Sequence, residues 1–166
     1  MLRYVAPQAV TVVLDVAAWG LFHAATGYTA HRLPADRLAA DGPLLRARRV
    51  EAGGRVYRRV LRVDRWKDAL PEAGALFAGG VSKRSIPTRD VAGLELLVRE
   101  TRRAELAHWW AMACGPLFVL WNPPLPAALL VAYGVLVNAP FIVIQRYNRF
   151  RTQLLLERLA ARAARA

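Results

Sequence analysis

The chain alternates between long apolar runs and stretches in which apolar and charged positions interleave. Ala9 to Tyr28 is nearly continuous in apolar residues, broken by Asp15 and His23. As a helix it would extend roughly 30 Å, the thickness of a bilayer core. His31-Arg32-Leu33-Pro34 ends this element and turns the chain. From Val91 the pattern is amphipathic, with Val91, Leu94, Leu97, Val98 and Thr101 on one side and charges on the other. It continues through His108 into the apolar run from Trp109 to Trp121, where Gly115-Pro116 predicts a kink. Asn122-Pro123-Pro124 reads as a short uncharged turn, and Leu125 to Ile144 as a return crossing in which Asn138 and Pro140 predict a kink. The chain then becomes a short basic amphipathic tail.

These runs predict an all-α integral membrane protein forming one membrane domain. It has about three transmembrane helices (about 9–28, 106–121 and 125–144), a basic, partly helical cytoplasmic segment at 29–105 and a basic tail at 145–166. Within the central segment, Val56, Tyr57, Val60, Leu61, Val63 and Trp66 mix helical and alternating spacing. They fit an amphipathic element lying on the bilayer or the packed face of a small cytosolic subdomain.

Charge orients the spans. Hydrophobic residues are 55% of the 166, yet the formal net charge is +12. The 17 basic residues from Tyr28 to Glu105 and the six after Gln145 contrast with none in the turn at Asn122. The positive-inside rule therefore predicts a cell-membrane protein with the central segment and C-terminus cytoplasmic. The N-terminal run lacks a basic leader region and a clear cleavage site, so it reads as a retained span. Cys114 is the only cysteine, which excludes an intrachain disulfide and a cysteine-based metal site.

One consequence concerns chemistry. Thr101, Glu105, His108 and Met112 share a helix face, so a carboxylate and an imidazole enter lipid one turn apart. Ionisable groups at such depth are costly to keep and are functional candidates. Because consecutive spans run in opposite directions, Gln145 to Arg149 leaves the membrane where Glu105 and His108 enter it. His23 and His31 fall at the same level. Glu105-x-x-His108 is also half of a di-iron bundle motif, but a second copy is absent and no metal is predicted. The run Ala78 to Arg84, glycine-containing and closed by Lys83 and Arg84, reads first as a solvated loop and second, without the spacing of a P-loop, as a phosphate contact.

The words Glu100-Thr101-Arg102-Arg103-Ala104-Glu105-Leu106 with His108-Trp109, and Asn138 with Pro140 followed by Gln145-Arg146-Tyr147-Asn148-Arg149, carry a resemblance. Weaker matches are Arg32-Leu33-Pro34 and Trp66-Lys67. On these the sequence resembles the glycosyl-4,4'-diaponeurosporenoate acyltransferases (CrtO) of carotenoid biosynthesis. Phe150 stands where the family's second motif continues with proline.

The resemblance implies a membrane enzyme moving a fatty acyl group to a sugar hydroxyl of a glycosylated carotenoid or related glycolipid. It needs no cofactor, with acyl-coenzyme A or acyl-carrier protein as co-substrate, and no nucleic acid. In that chemistry His108 is the best general base and Glu105 its orienting partner. Arg146, Asn148, Tyr147 or the Trp66 indole would serve the oxyanion. Lys83, Arg84, Arg102, Arg103 and Arg149 are candidates for donor phosphates or an acidic carrier. Trp66, Lys67, Glu100, Gln145 and Tyr147 complete the expected substrate-binding set. The competing reading is a non-catalytic membrane protein whose basic cytoplasmic face binds anionic lipid or a partner enzyme.

Overall fold

A computed structural model describes residues 8–70 and 90–165. Among these the architecture is all-helical. Helix α1 spans Gln8–His31, and of its residues only Trp19 and Ala30 are buried. Val10, Val12, Val13, Leu14, Val16 and Leu21 point outward, as expected of a helix whose apolar surface faces something other than protein.

Three short turns of 3-10 helix (Ala35–Leu38, Arg49–Gly54 and Lys67–Ala69) and two short helices, α2 (Arg55–Arg59) and α3 (Val63–Trp66), make up the following segment. The tight bend at its centre needs left-handed backbone, with Gly54 at φ +83°. A Cβ there would lie 2.7 Å from Phe150 Cβ, so glycine also permits close packing. Tyr57 and Val63 pack with Ile144 and Tyr147, flanked by Trp66, Leu70, Val143 and Phe150. Of the apolar positions expected here, Tyr57, Val63 and Trp66 thus pack in this cluster, while Val60 and Leu61 stay exposed. Phe150, the departure from the family motif, stacks on Tyr57 at 5.9 Å.

Helix α4 (Val91–Cys114) starts at Asp90, whose side chain accepts a hydrogen bond from the Gly93 amide at 2.8 Å. Its buried face holds Leu94, Leu97, Val98, Thr101 and Glu105, as the periodicity predicts, whereas Val91, expected on the same side, is exposed in the first turn. After Cys114 the chain tightens into 3-10 helix over Gly115–Leu120, and Asn122 closes the turn by donating its amide to the Phe118 carbonyl at 2.9 Å. The expected second span is therefore α-helical only in its first half. Helix α5 (Pro124–Ala163) then runs 40 residues without a break, through Pro140 and into the tail. The tail is thus a continuation of the last span, because nothing between Gln145 and Arg151 interrupts a helix.

Helices α1 and α5 are long and apolar enough to cross a membrane; α4, with its charged first half, does not meet that test. The two ends of α1 fix its alignment with α4. Near its start, Asp15 Oδ1 accepts from Trp121 Nε1 and Asn122 Nδ2, each at 2.8 Å. Near its end, the carbonyls of Ala30, His31 and Leu33 accept from Arg103 Nη1 at 2.7–3.0 Å. A cation on the terminal carbonyls of a helix satisfies orphan acceptors and opposes the negative end of its dipole. The α4 helix and the turn after it therefore lie alongside α1, antiparallel. In the middle, Trp19 packs against Gly134 so closely that a Cβ there would meet its ring at 2.5 Å.

Candidate active site

Helices α4 and α5 share a polar seam. On α5, Asn138, Gln145, Arg149 and Thr152 recur at steps of seven, four and three and are all buried. Facing them on α4 are Thr101, Glu105 and His108. Glu105 has no solvent exposure. Its Oε1 accepts from Arg146 Nε at 2.7 Å and from Trp109 Nε1 at 3.1 Å. Its Oε2 lies 2.7 Å from Arg149 Nη1, an ionic contact in which the N–H is misaligned for a hydrogen bond.

Arg146 bridges two carboxylates. Besides Glu105 it donates through Nη1 to Glu51 Oε1 at 2.8 Å and through Nη2 to the Leu44 carbonyl at 2.5 Å. Glu51 also accepts from the Tyr57 hydroxyl and the Arg48 backbone amide. Burial works against the Glu51 carboxylate, but these hydrogen bonds and the Arg146 charge outweigh it and hold its pKa below the ordinary value. Burial, and then the hydrogen bond to Glu51, push the Tyr57 phenol up. Arg149 donates to the Leu45 carbonyl at 3.0 Å and lies 3.9 Å from Asp41. Arg102 donates to Asp41 at 2.7 Å and to the carbonyls of Leu38 and Ala39. Three carboxylates and three guanidiniums thus tie the 38–51 segment to α4 and α5.

His108 sits one turn after Glu105. Its Nδ1 is 2.9 Å from Asn138 Oδ1, and its ring stacks on Phe141 with centroids 4.8 Å apart and planes 9° from parallel. Asn138 has no solvent exposure, and its Nδ2 donates to the Gly134 carbonyl at 2.9 Å. Asn148 lies two turns beyond Phe141 on the same stripe of α5 and is half-buried.

The sequence-predicted residues therefore divide. Glu105, His108, Gln145, Arg146 and Arg149 do come together across the seam. Arg102, Arg103, Arg146 and Arg149 spend their donors on carboxylates and backbone carbonyls. Glu100 pairs with Arg103 at 3.1 Å and Lys67 with Asp68 at 2.5 Å. The Trp66 indole donates to the Leu61 carbonyl at 2.9 Å, and Tyr147 belongs to the apolar cluster with Arg151 over its ring. Lys83 and Arg84, with the glycine-containing run, lie outside the described residues. His23 Nδ1 is 2.9 Å from the Trp19 carbonyl of its own helix.

Glu51, Asp41 and Tyr57 were not anticipated at the site. The arginine partners of Asp41 and Glu51 are 61 and 95 residues away in sequence, and Tyr57 joins the site only through Glu51. Asn138 was visible as part of a motif and as a kink position beside Pro140, without a chemical role. Among the described residues no group of three His, Cys, Asp or Glu side chains is arranged to hold a metal ion. On another face of α5, a groove of about 550 Å³ runs between Leu61, Trp66 and Leu70 and the helix residues Val135, Ala139 and Val143.

The family model of the glycosyl-4,4'-diaponeurosporenoate acyltransferases (CrtO) matches residues 42–158, which include every member of the seam but not α1. A relative of that name from Staphylococcus haemolyticus is 30% identical over 104 residues, 62% of this chain and 60% of the relative. Another, from Staphylococcus aureus, is 30% identical over 116 residues, 69% of each chain. This chain thus spans somewhat under two thirds of the first relative's length. No solved structure matches.

Proposed function

Because the chain belongs to the glycosyl-4,4'-diaponeurosporenoate acyltransferase family, we propose that it transfers a fatty acyl group from an activated donor to a sugar hydroxyl of a glycosylated carotenoid or related glycolipid. The donor is an acyl-coenzyme A or acyl-carrier protein thioester. The observation that carries this reading is His108, held on the seam between Asn138 and Phe141, one turn from a carboxylate already neutralised by two arginines.

In this reading His108 is the general base. The acceptor hydroxyl attacks the thioester carbonyl as its proton passes to the imidazole. The tetrahedral intermediate then collapses, and the departing thiolate takes the proton back. No protein nucleophile is required. Arg146 is committed to Glu51, Glu105 and Leu44, which leaves Asn148 and the Tyr147 hydroxyl as the motif's candidates for the oxyanion. Arg146 and Arg149 are positioning groups, and Glu105 acts by anchoring them beside the imidazole. The apolar groove between Trp66 and α5 suits a hydrocarbon chain of the substrates.

The reading includes a membrane setting. Alignment of α1 beside α4 and its following turn supports three antiparallel crossings, with the seam's charged end at the cytoplasmic face and Asp15 near the opposite one. Outward-facing Leu117, Val119, Leu120, Leu125, Leu129 and Leu136 continue the apolar surface begun by α1. A second reading, a lipid-binding assembly protein, draws on the exposed arginines between Arg46 and Arg65.

The test is His108→Gln in cells making the glycosylated acceptor, with lipid extracts analysed by mass spectrometry. Loss of the acyl ester at normal membrane abundance supports the base role. Undiminished ester removes His108 from the mechanism. If wild type makes no ester either, and membrane binding tracks the number of exposed arginines, the second reading takes over.

A further inference from the structure

The neighbours of Asn138 fix which way its amide points. The Gly134 carbonyl can only accept a hydrogen bond, so the atom 2.9 Å from it must be the NH2 group. The carboxamide oxygen must then be the atom 2.9 Å from His108 Nδ1. The opposite orientation would set two acceptor oxygens against each other at 2.9 Å. An oxygen facing Nδ1 requires that nitrogen to carry the proton, which leaves the lone pair of neutral imidazole on Nε2. Phe141, stacked nearly parallel, fixes the plane of the ring. We infer that Asn138 is a positioning residue that holds His108 in the Nδ1–H tautomer, with Nε2 as the basic atom.

This inference rests on the reading of His108 as general base. It adds which nitrogen works and what keeps it so. Nδ1–H stays on Asn138 throughout. The hydroxyl proton arrives at Nε2 as the C–O bond forms and leaves from Nε2 as the C–S bond breaks. A neutral amide gives this orientation without a second carboxylate at membrane depth, where a charge is costly. The amide is itself anchored from α1, because Trp19 packs onto the glycine whose carbonyl it grips.

Among the described residues, the charged and titratable groups that the helices packed with α4 bring nearest this level are Glu105 on its own helix, Arg146, Arg149 and Tyr133 on α5, and His23 and Asp15 on α1. Glu105 is paired with both arginines. Asn138→Asp therefore adds a carboxylate against Nδ1–H, and an opposite charge at that range raises the imidazole pKa.

The experiment uses the full chain in lipid nanodiscs. Nitrogen-15 spectra of labelled histidine, with His108 assigned by its absence from His108→Gln, report which ring nitrogen carries the proton above its pKa. Wild type should be protonated on Nδ1. Finding the proton on Nε2 overturns the inference whatever the activity of any variant. Asn138→Ala should lower kcat about 100-fold, the scale of a misaligned catalytic group, with KM within about twofold. Asn138→Asp should recover part of kcat and move the acidic limb of the kcat/KM profile up by about one pH unit. A merely structural role would lower thermal stability in both variants and leave the pH profile in place, which also overturns it. If His108→Gln retains activity, the base reading fails, whereas a dead His108→Gln beside an unaffected Asn138→Ala removes only the positioning role.

Discussion

Substituting Glu105 by Gln changes a charge and almost nothing of the shape. The side chain has no solvent exposure. The glutamine oxygen would keep the bonds from Arg146 Nε and Trp109 Nε1, now 2.7 and 3.1 Å long. Its NH2 group would then face Arg149 Nη1 across the present 2.7 Å, donor against donor. Arg149 would be left with the Leu45 carbonyl at 3.0 Å and Asp41 at 3.9 Å. Removing one member of a buried ion pair costs about 3–5 kcal/mol, because the survivor stays desolvated and uncompensated. At about 2–4 °C per kcal/mol for a chain of this size, Tm should fall by roughly 6–20 °C. Thermal unfolding of wild type and variant in the same lipid measures it. Glu105→Gln combined with Arg149→Gln should be more stable than additivity predicts by about 1 kcal/mol or more, since both charges leave together. A Glu105→Gln protein melting within 1 °C of wild type, or strictly additive behaviour of the pair, would refute the claim that this carboxylate neutralises α5.

Gly134→Ala should cost about 1–3 kcal/mol through the clash with Trp19 and regain most of it in a Trp19→Leu background, read by thermal melts. Arg103→Ala strips three carbonyl contacts from the end of α1 and should speed hydrogen exchange of the last amides of that helix severalfold, while α5 stays protected. Stability should fall on the acid side as pH drops below the ordinary carboxylate value through the lowered pKa of Glu51, because the folded carboxyl resists protonation more than the unfolded one does. Tyr57→Phe removes one of the bonds that lower it, so acid unfolding should begin at higher pH. The same variant should lose the alkaline fall in stability above pH about 10, where the unfolded phenol ionises and the folded one, raised by burial and by Glu51, does not.

Much of the site was legible because it depends on two coarse signals. The step from Thr101 to Glu105 to His108 sets a helix face, and the charge-free turn at Asn122 forces the next apolar run back the other way. Together these bring Glu105 opposite Arg146 and Arg149. What the arginines do there was hidden. A guanidinium that binds a substrate phosphate and one that binds Glu51 or a helix end look alike in sequence. The distinction lies in partners such as Leu44, Leu45 and Ala30, whose backbone carbonyls leave no trace in residue type. Tyr57 counted as apolar in the pattern, yet its hydroxyl completes the Glu51 site. The segment from Val56 to Trp66 resisted a single reading because it forms two short helices, each too brief to impose a period.

The buried ionic cluster sums to zero: Asp41, Glu51 and Glu105 against Arg102, Arg146 and Arg149. The chain's excess of +12 therefore comes from residues outside this cluster, and among the described residues the run from Arg46 to Arg65 is thick with solvent-facing guanidiniums. Dissolved salt, which screens exposed charges far more than enclosed ones, acts mainly on those guanidiniums. Ionic strength becomes a dial for how tightly the molecule adheres to its surroundings, while the scaffold that aligns the helices is largely indifferent to it.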